Sequence, residues 1–246
     1  MDVQKELHRA GESKVTKYQR LVVGRPGLAG LIKYELIGLV SAWIPGAFGL
    51  LLRSHLYPRL LSRCGKNVAF GTNVVLRHPH KVAMGQNVVV DDNCVIDAKG
   101  EENAGIVIGS NVFVGRNTII YCQNGNIVIG ENANIGSNCQ IFSAGSVEIG
   151  KNVLVGAYSY LIGGGHVMVD YSSPIIEQGR ISRGIRLGDN EWVGAGVKIL
   201  DGVTIGRDAV IGTGAVVNRD IAAYAVAAGL PAKVIGDRRN RKESQN

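Results

Sequence analysis

His166 ends the run LIGGGH and is the side chain in this sequence best suited to moving a proton near neutral pH. A neutral imidazole, with a reference pKa of about 6.5, can take the proton of a hydroxyl as that hydroxyl attacks an electrophile. The preceding Gly163, Gly164 and Gly165 let the backbone turn tightly and let a substrate come close. No Ser-His-Asp or Cys-His arrangement accompanies it, so the chemistry implied is direct attack by a substrate oxygen, with no covalent protein intermediate. His78 and His80 stand about four repeat units earlier, and His8 and His55 lie near the N-terminus. Three histidines cannot meet at one zinc from such positions, and the four cysteines show no CxxC spacing, so no metal site is expected.

The elements that hold His166 follow from a six-residue rhythm, aliphatic-Gly-x-x-small-x. Its opening glycines are Gly65, Gly85, Gly109, Gly130, Gly150, Gly188 and Gly206. The intervals equal three hexads plus insertions that recur at one phase, so the insertions emerge along one edge. The largest lies at about 163–184, directly after the glycines. Period-six repetition predicts a stack of triangular coils, each with three short parallel strands. Val68, Ile108, Ile129, Ile149, Leu187 and Ile205 should point inward, and Gly or Asn should turn the corners where φ is positive. Cys94 and Cys139 share the phase of Val112, Ala133 and Ala209, a place for small buried side chains. They read as structural thiols, which suits a reducing cytoplasm.

These residues resemble the left-handed β-helix hexapeptide-repeat acyltransferases, in particular the branch of galactoside, maltose, serine and polysaccharide O-acetyltransferases. VLVGAYSYLIGGGH is similar to that branch's run into its catalytic histidine. LGDNEWVGAGVKILDGVTIGRDAVIGTGAVVNRDI looks like its CoA-binding coils, and AAGLPAKVIG looks like its closing motif. The resemblance implies an all-β left-handed parallel β-helix of about seven coils, assembled as a homotrimer. It further implies acetyl-CoA as co-substrate, with no permanently bound cofactor, lying between neighbouring prisms. Trp192 would line the pantetheine path; Gly194, Ala195, Thr213 and Gly214 would let the thin arm approach main-chain amides. Arg219 and Lys233 would meet the CoA phosphates. The galactoside and maltose members carry an acceptor-contacting Asn in the coil before the histidine. By phase that place is Gly136 here, with Asn138 two residues on. Asn138, Glu177 and Gln178 are the expected acceptor contacts, and Asp170 or Glu177 the groups that could orient the imidazole.

The first 64 residues lie outside the repeat and form a separate segment, followed by the β-helix over 65–236 and a basic tail at 237–246. The chain's net charge of +7 belongs to residues 1–66, since the remainder is balanced. A basic arm over 1–25 precedes the uncharged stretch 36–52, rich in Leu and Ile with Trp43 and Phe48. That stretch is shorter than a bilayer span, and Pro45-Gly46 divides it. Lys33 precedes it and Arg53, Arg59 and Arg63 follow. A re-entrant or interfacial hairpin is therefore expected, with residues 28–63 on an anionic membrane surface; a helix pair capping the prism is the compatible alternative. No basic stripe with interleaved aromatics continues into the repeat, which argues against nucleic acid. No cleavable signal peptide is apparent, so a cytoplasmic, peripheral or monotopic placement at the inner face of the cytoplasmic membrane is expected.

Taken together, the sequence points to an O-acetyltransferase acting on a sugar or lipid-linked glycan in polysaccharide biosynthesis, with His166 as general base. The alternatives are another acyl-CoA or an acyl carrier protein as donor, and a non-catalytic trimeric scaffold at the membrane.

Overall fold

A computed structural model describes residues 11–240; the first part of the basic arm and the end of the C-terminal tail lie outside the described residues. The chain folds as the expected left-handed parallel β-helix. Its first face stacks seven strands, from Arg63–Cys64 to Thr204–Ile205, and the bridge of Ile205 to Ile221 begins an eighth row. The second face stacks eight parallel strands, from Ala69–Phe70 to Ala225–Ala228, closed by the antiparallel strand Lys233–Asp237. The third face stacks seven, from Val75–Arg77 to Val216–Val217. Seven complete coils and a partial eighth result.

The register is set by the aliphatic phase. Ile127 pairs with Ile106 and Val147, and Ile129 with Ile108 and Ile149, so identical positions stack coil upon coil. All six residues expected inward, from Val68 to Ile205, are buried. Cys94, Cys122 and Cys139 are buried free thiols, with burial pushing Cys94 up to about 11 and Cys122 to about 12. The corners take left-handed residues, as expected. Asn67, Asn87, Asn111, Asn132, Asn152 and Asn190 all have positive φ and form one ladder along the first corner, each carboxamide donating to the next at 2.9–3.2 Å.

The N-terminal segment caps the open end of the prism. Helix α1 (Lys14–Tyr18) leads into a wider turn, Gln19–Val23; α2 (Leu28–Ser41) and α3 (Gly46–Leu56) then form a hairpin broken at Pro45. The Tyr34 and Tyr57 hydroxyls donate to Leu76 O and Val74 O of the first coil. Arg53, counted above among the basic flanks, is instead fully buried. Its guanidinium donates to Phe70 O at 2.8 Å, Ser41 O at 2.9 Å and Ile44 O at 2.6 Å, riveting both helices to the coil. Only a group with several fixed donors can satisfy three carbonyls in so dry a place. The hairpin's outer side is largely apolar, exposing Leu28, Ile32, Leu36, Leu39, Trp43, Phe48 and Leu51 around Glu35. Among the described residues, no helix is long and apolar enough to cross a membrane.

One core position departs from the pattern. Val88, Val112, Ala133, Val153 and Ala209 fill one buried column, and Glu191 occupies the same column between Val153 and Ala209. One carboxylate oxygen accepts from Gly188 N and the other has no partner among the described residues. Burial pushes this carboxyl up to about 9, while in the unfolded chain it ionises near 4.5. The unfolded state thus loses the proton first, and stability falls as pH rises between these values. Glu191→Val is expected to add about 1–3 kcal/mol at pH 7 and to flatten that decline. Urea denaturation at pH 5 and pH 8 measures it; an unchanged pH slope in the variant would disprove the buried-proton account.

Candidate functional site

His166 leaves the prism on the edge between the third and first faces, where the insertions were expected to emerge. The third-face strand Tyr160–Gly163 ends, Gly165–His166 pairs antiparallel with Arg180–Ile181, and the chain re-enters the first face at Ile185–Leu187. The break in rhythm is therefore a β-hairpin whose two-rung stem carries the histidine. Val167 N donates to Gly179 O at 3.2 Å, adding a further rung.

The three glycines do different work. A Cβ on Gly163 would stand 2.6 Å from Val147 Cγ2 and 2.8 Å from Phe142 O; one on Gly164 would stand 2.6 Å from Ala144 Cβ. Both let the hairpin stem lie against the preceding coil. Only Gly165 faces open space. The close approach expected of a substrate is, at the first two positions, an approach of the chain to itself.

Asp201, from the next coil, fixes the returning arm. Its carboxylate accepts from Arg183 N at 2.7 Å, Gly184 N at 2.9 Å and the Ser182 hydroxyl at 3.3 Å, and that hydroxyl also reaches Gly163 O. In the sequence only its place, an acidic residue one coil beyond a long insertion, marks Asp201. At the tip, Asp170 accepts from the Ser172 and Ser173 hydroxyls and from Ser172 N, contacts that hold its carboxyl down at about 2. Gln178 spends its carboxamide inside the loop, accepting from Asp170 N and donating to Ser173 O and Asp170 O. The Glu177 carboxylate has no partner among the described residues, and none of the three touches His166.

The His166 imidazole is exposed and unbonded among the described residues. It opens on a cavity of about 120 Å³ lined by Gln123, Phe142, Ala144, Gly164, Gly165, His166 and Arg180. A second cavity of about 270 Å³ adjoins it, sharing Gln123, Ala144 and Arg180 and adding Asn124, Gly179, Ile181 and Ser182. Among the described residues no cluster could hold a metal ion. His78 is instead buried against Asp97 at 3.3 Å, and helps dock the N-terminal segment by bonding to Arg20 O.

The other expected site residues lie elsewhere on the prism. Trp192 points outward from the second face, about half exposed, between Leu154 and Val210. Gly194 and Ala195 turn the corner between second and third faces directly below Thr213 and Gly214; a Cβ on Gly194 would stand 2.7 Å from Thr213 N, and Gly214 N donates to Ala195 O. Those four residues are brought together. Arg219 follows the last third-face strand, exposed on the insertion edge, and Lys233 begins the closing strand. Asn138 is the last asparagine rung of the second corner: it accepts from Asn117 at 3.1 Å, leaving its own amide nitrogen without a partner among the described residues. In a triangular section the second face lies opposite the insertion edge, so one chain holds Trp192 and His166 on opposite sides.

Comparison with known proteins agrees with the fold and repeat. The family description "Bacterial transferase hexapeptide (six repeats)" matches residues 184–219, and "Hexapeptide repeat of succinyl-transferase" matches 126–162. A probable acetyltransferase of Mycobacterium tuberculosis is 35% identical over 66% of this chain and 54% of its own length. The galactoside O-acetyltransferase of Escherichia coli is 35% identical over 54% of this chain and 57% of its own. The chain thus spans about half the length of the curated relatives it matches. A polysialic acid O-acetyltransferase of known structure shares the fold with a TM-score of 0.58 at 18% identity, covering 75% of this chain and 92% of that one.

Gly163→Ala should force Val147 or the Phe142 carbonyl aside and cost about 1–3 kcal/mol, whereas Gly165→Ala should stay within about 0.5 kcal/mol of the parent. Chemical denaturation of the pair tests the division of labour; equal losses would refute it.

Proposed function

Starting from a chain whose coils carry the bacterial transferase hexapeptide repeat, we propose that it is a CoA-dependent acyltransferase moving an acetyl group from acetyl-CoA to a sugar or glycolipid hydroxyl. The observation that carries this reading is His166 itself: an uncommitted imidazole on a clamped hairpin stem, opening on a cavity. In the transfer step the acceptor oxygen attacks the thioester carbonyl as the imidazole takes its proton. The tetrahedral adduct then collapses, the C–S bond breaks, and the imidazolium returns the proton to the departing CoA sulfur. No protein nucleophile is required. The names of the curated relatives support the acetyl group, and that of the galactoside O-acetyltransferase supports the O-acceptor.

Acetyl-CoA enters as a co-substrate, with no cofactor permanently bound. Its pantetheine arm runs past Trp192 and along the small corner Gly194, Ala195, Thr213 and Gly214, with Arg219 and Lys233 for the phosphates. Because that corner and His166 lie on different sides of one prism, the working unit is a homotrimer, each site lying between two copies. The exposed apolar hairpin tip, with Met168, Val169, Tyr171, Ile175 and Ile176, supports such a contact. Asn138, through its spare amide nitrogen, and Glu177 remain the acceptor contacts proposed; Gln178 acts with them by shaping the loop.

The segment 28–63 lies on an anionic membrane surface. Its support is the exposed apolar side of α2 and α3, interrupted by Glu35, beside the exposed basic Lys33, Arg59 and Arg63. Flotation with phosphatidylglycerol vesicles is expected to carry the protein. Leu36→Glu with Leu39→Glu should weaken binding at least about tenfold, at roughly 2.5 kcal/mol or more per buried charge; flotation unaffected by these changes would refute this placement.

His166→Ala is expected to lower acceptor-dependent thiol release from acetyl-CoA by at least about a hundredfold, with acetyl-CoA affinity by calorimetry unchanged. Release that persists in the variant would remove His166 as the base.

A further inference from the structure

We propose that the acceptor is an acidic sugar, carrying a carboxylate or a phosphate, and that Arg180 is the residue that selects it; the proposal rests on the acyl-transfer reading above. Arg180 is the direct cross-strand partner of His166 in the hairpin stem. Directly opposed residues on an antiparallel pair carry their side chains on the same side, with Cβ atoms about 4.5–5.5 Å apart. The guanidinium is thus tied to the base by the stem, and any shift of one carries the other.

Further observations concern charge. Arg180 lines both cavities beside His166, and no other charged side chain lines the larger one. No carboxylate lines either cavity, and the remaining polar lining, Gln123, Asn124 and Ser182, is neutral. The guanidinium makes no hydrogen bond or ion pair among the described residues, whereas Arg116, Arg186 and Arg239 are paired with Asp91, Glu148 and Asp237. On the hairpin itself, Asp170 is committed to the serines of the tip, and the Glu177 carboxylate, unpartnered among the described residues, lines neither cavity.

A neutral acceptor gives such an arginine nothing to match its charge. An anionic one does: the planar fork of guanidinium donors fits the two oxygens of a carboxylate or phosphate in a bidentate pair. Binding the anion at Arg180 would then bring a neighbouring ring hydroxyl to His166, so that charge recognition and orientation become one contact. Carboxylate and phosphate share this chemistry, and the choice between them is a matter for the acceptors tested.

The experiment uses the full chain and acetyl-CoA, with three matched acceptors: a neutral methyl hexoside, the corresponding uronate and the corresponding hexose 6-phosphate. Initial thiol-release rates are measured for the parent, Arg180→Gln and Arg180→Lys. In the parent, kcat/KM for at least one anionic acceptor should exceed that of the neutral one by tenfold or more. Arg180→Gln should erase most of that ratio through KM, by about 10- to 100-fold, and Arg180→Lys should restore part of it. Whichever anion is preferred identifies the source of the charge. Equal or better turnover of the neutral acceptor by the parent, or a preference that survives Arg180→Gln, overturns the proposal while leaving acyl transfer intact. No release with any acceptor, and none in the presence of glycolipid extracts, overturns the acyl-transfer reading and this proposal with it. Saturation-transfer NMR of the three acceptors, with CoA present, reads binding independently of turnover; unselective binding by the parent would refute the role of Arg180.

Discussion

Everything in this molecule depends on turning a corner three times per coil at the same height. A parallel strand two to four residues long has no stability of its own; it exists because the coils above and below present strands in register. Register survives only if each corner takes the same space, and the chain meets this with left-handed residues at fixed places. Asparagine suits the first corner for two reasons. Its short polar side chain tolerates positive φ, and its carboxamide both donates and accepts, so one rung satisfies the next. The ladder from Asn67 to Asn190 is thus a second set of inter-coil bonds outside the core. Where it ends, Asp208 and Tyr224 keep the positive φ, and Arg207 and Arg239 cover the Tyr224 ring.

A rod so constrained has few places for chemistry. Its faces are strands, and two corners admit nothing longer than a tight turn. The third corner alone accepts insertions, because the chain may leave there after a complete coil and return without disturbing the stack. The hairpin bearing His166 uses that freedom once at length. Its stem is held as firmly as the coils: Gly163 and Gly164 permit close contact on one arm, and Asp201 fastens the other. The tip, by contrast, is held by its own Asp170, serines and Gln178. The side chain proposed to react therefore stands on the rigid part, and the part left to adapt lies beyond it.

The sequence made the periodic features legible and hid those that depend on a single partner far away. Period six, the inward aliphatic column, the positive-φ corners and the insertion edge are all written as repetition. The break at Pro45-Gly46 was legible because proline acts locally. Arg53 was read as a surface charge, since nothing nearby announces that three carbonyls from α2, its own connection and the first coil converge on it. Glu191 and Asp201 were missed for a related reason. One stands in a buried column and the other clamps a loop inserted earlier, and each becomes notable only against the coils beside it. Asn138 and Gln178 illustrate the reverse case. Both were singled out by resemblance and place in the chain, while much of their hydrogen bonding is taken up by the ladder and the loop.

The arrangement also says why a single chain is half a machine for the proposed reaction. Trp192 and the small corner Gly194, Ala195, Thr213 and Gly214, the proposed donor path, run along the second face and its far corner, and the proposed base stands on the opposite edge, with the filled prism between them; Arg219 shares the edge of His166. That interior is packed with Ile135, Ile141, Val155, Leu161 and their neighbours, so no substrate passes through it. For the proposed reaction, an arm of CoA lying beside Trp192 would have to meet a histidine brought to it from outside, and the element projecting outward is the hairpin. Its apolar tip reaches away from its own prism while its stem keeps His166 and Arg180 side by side. In the proposed trimer, joining the two halves across an interface would let each be built on the most rigid part of a prism, and would leave the adaptable tip to define the acceptor's share of the space between them.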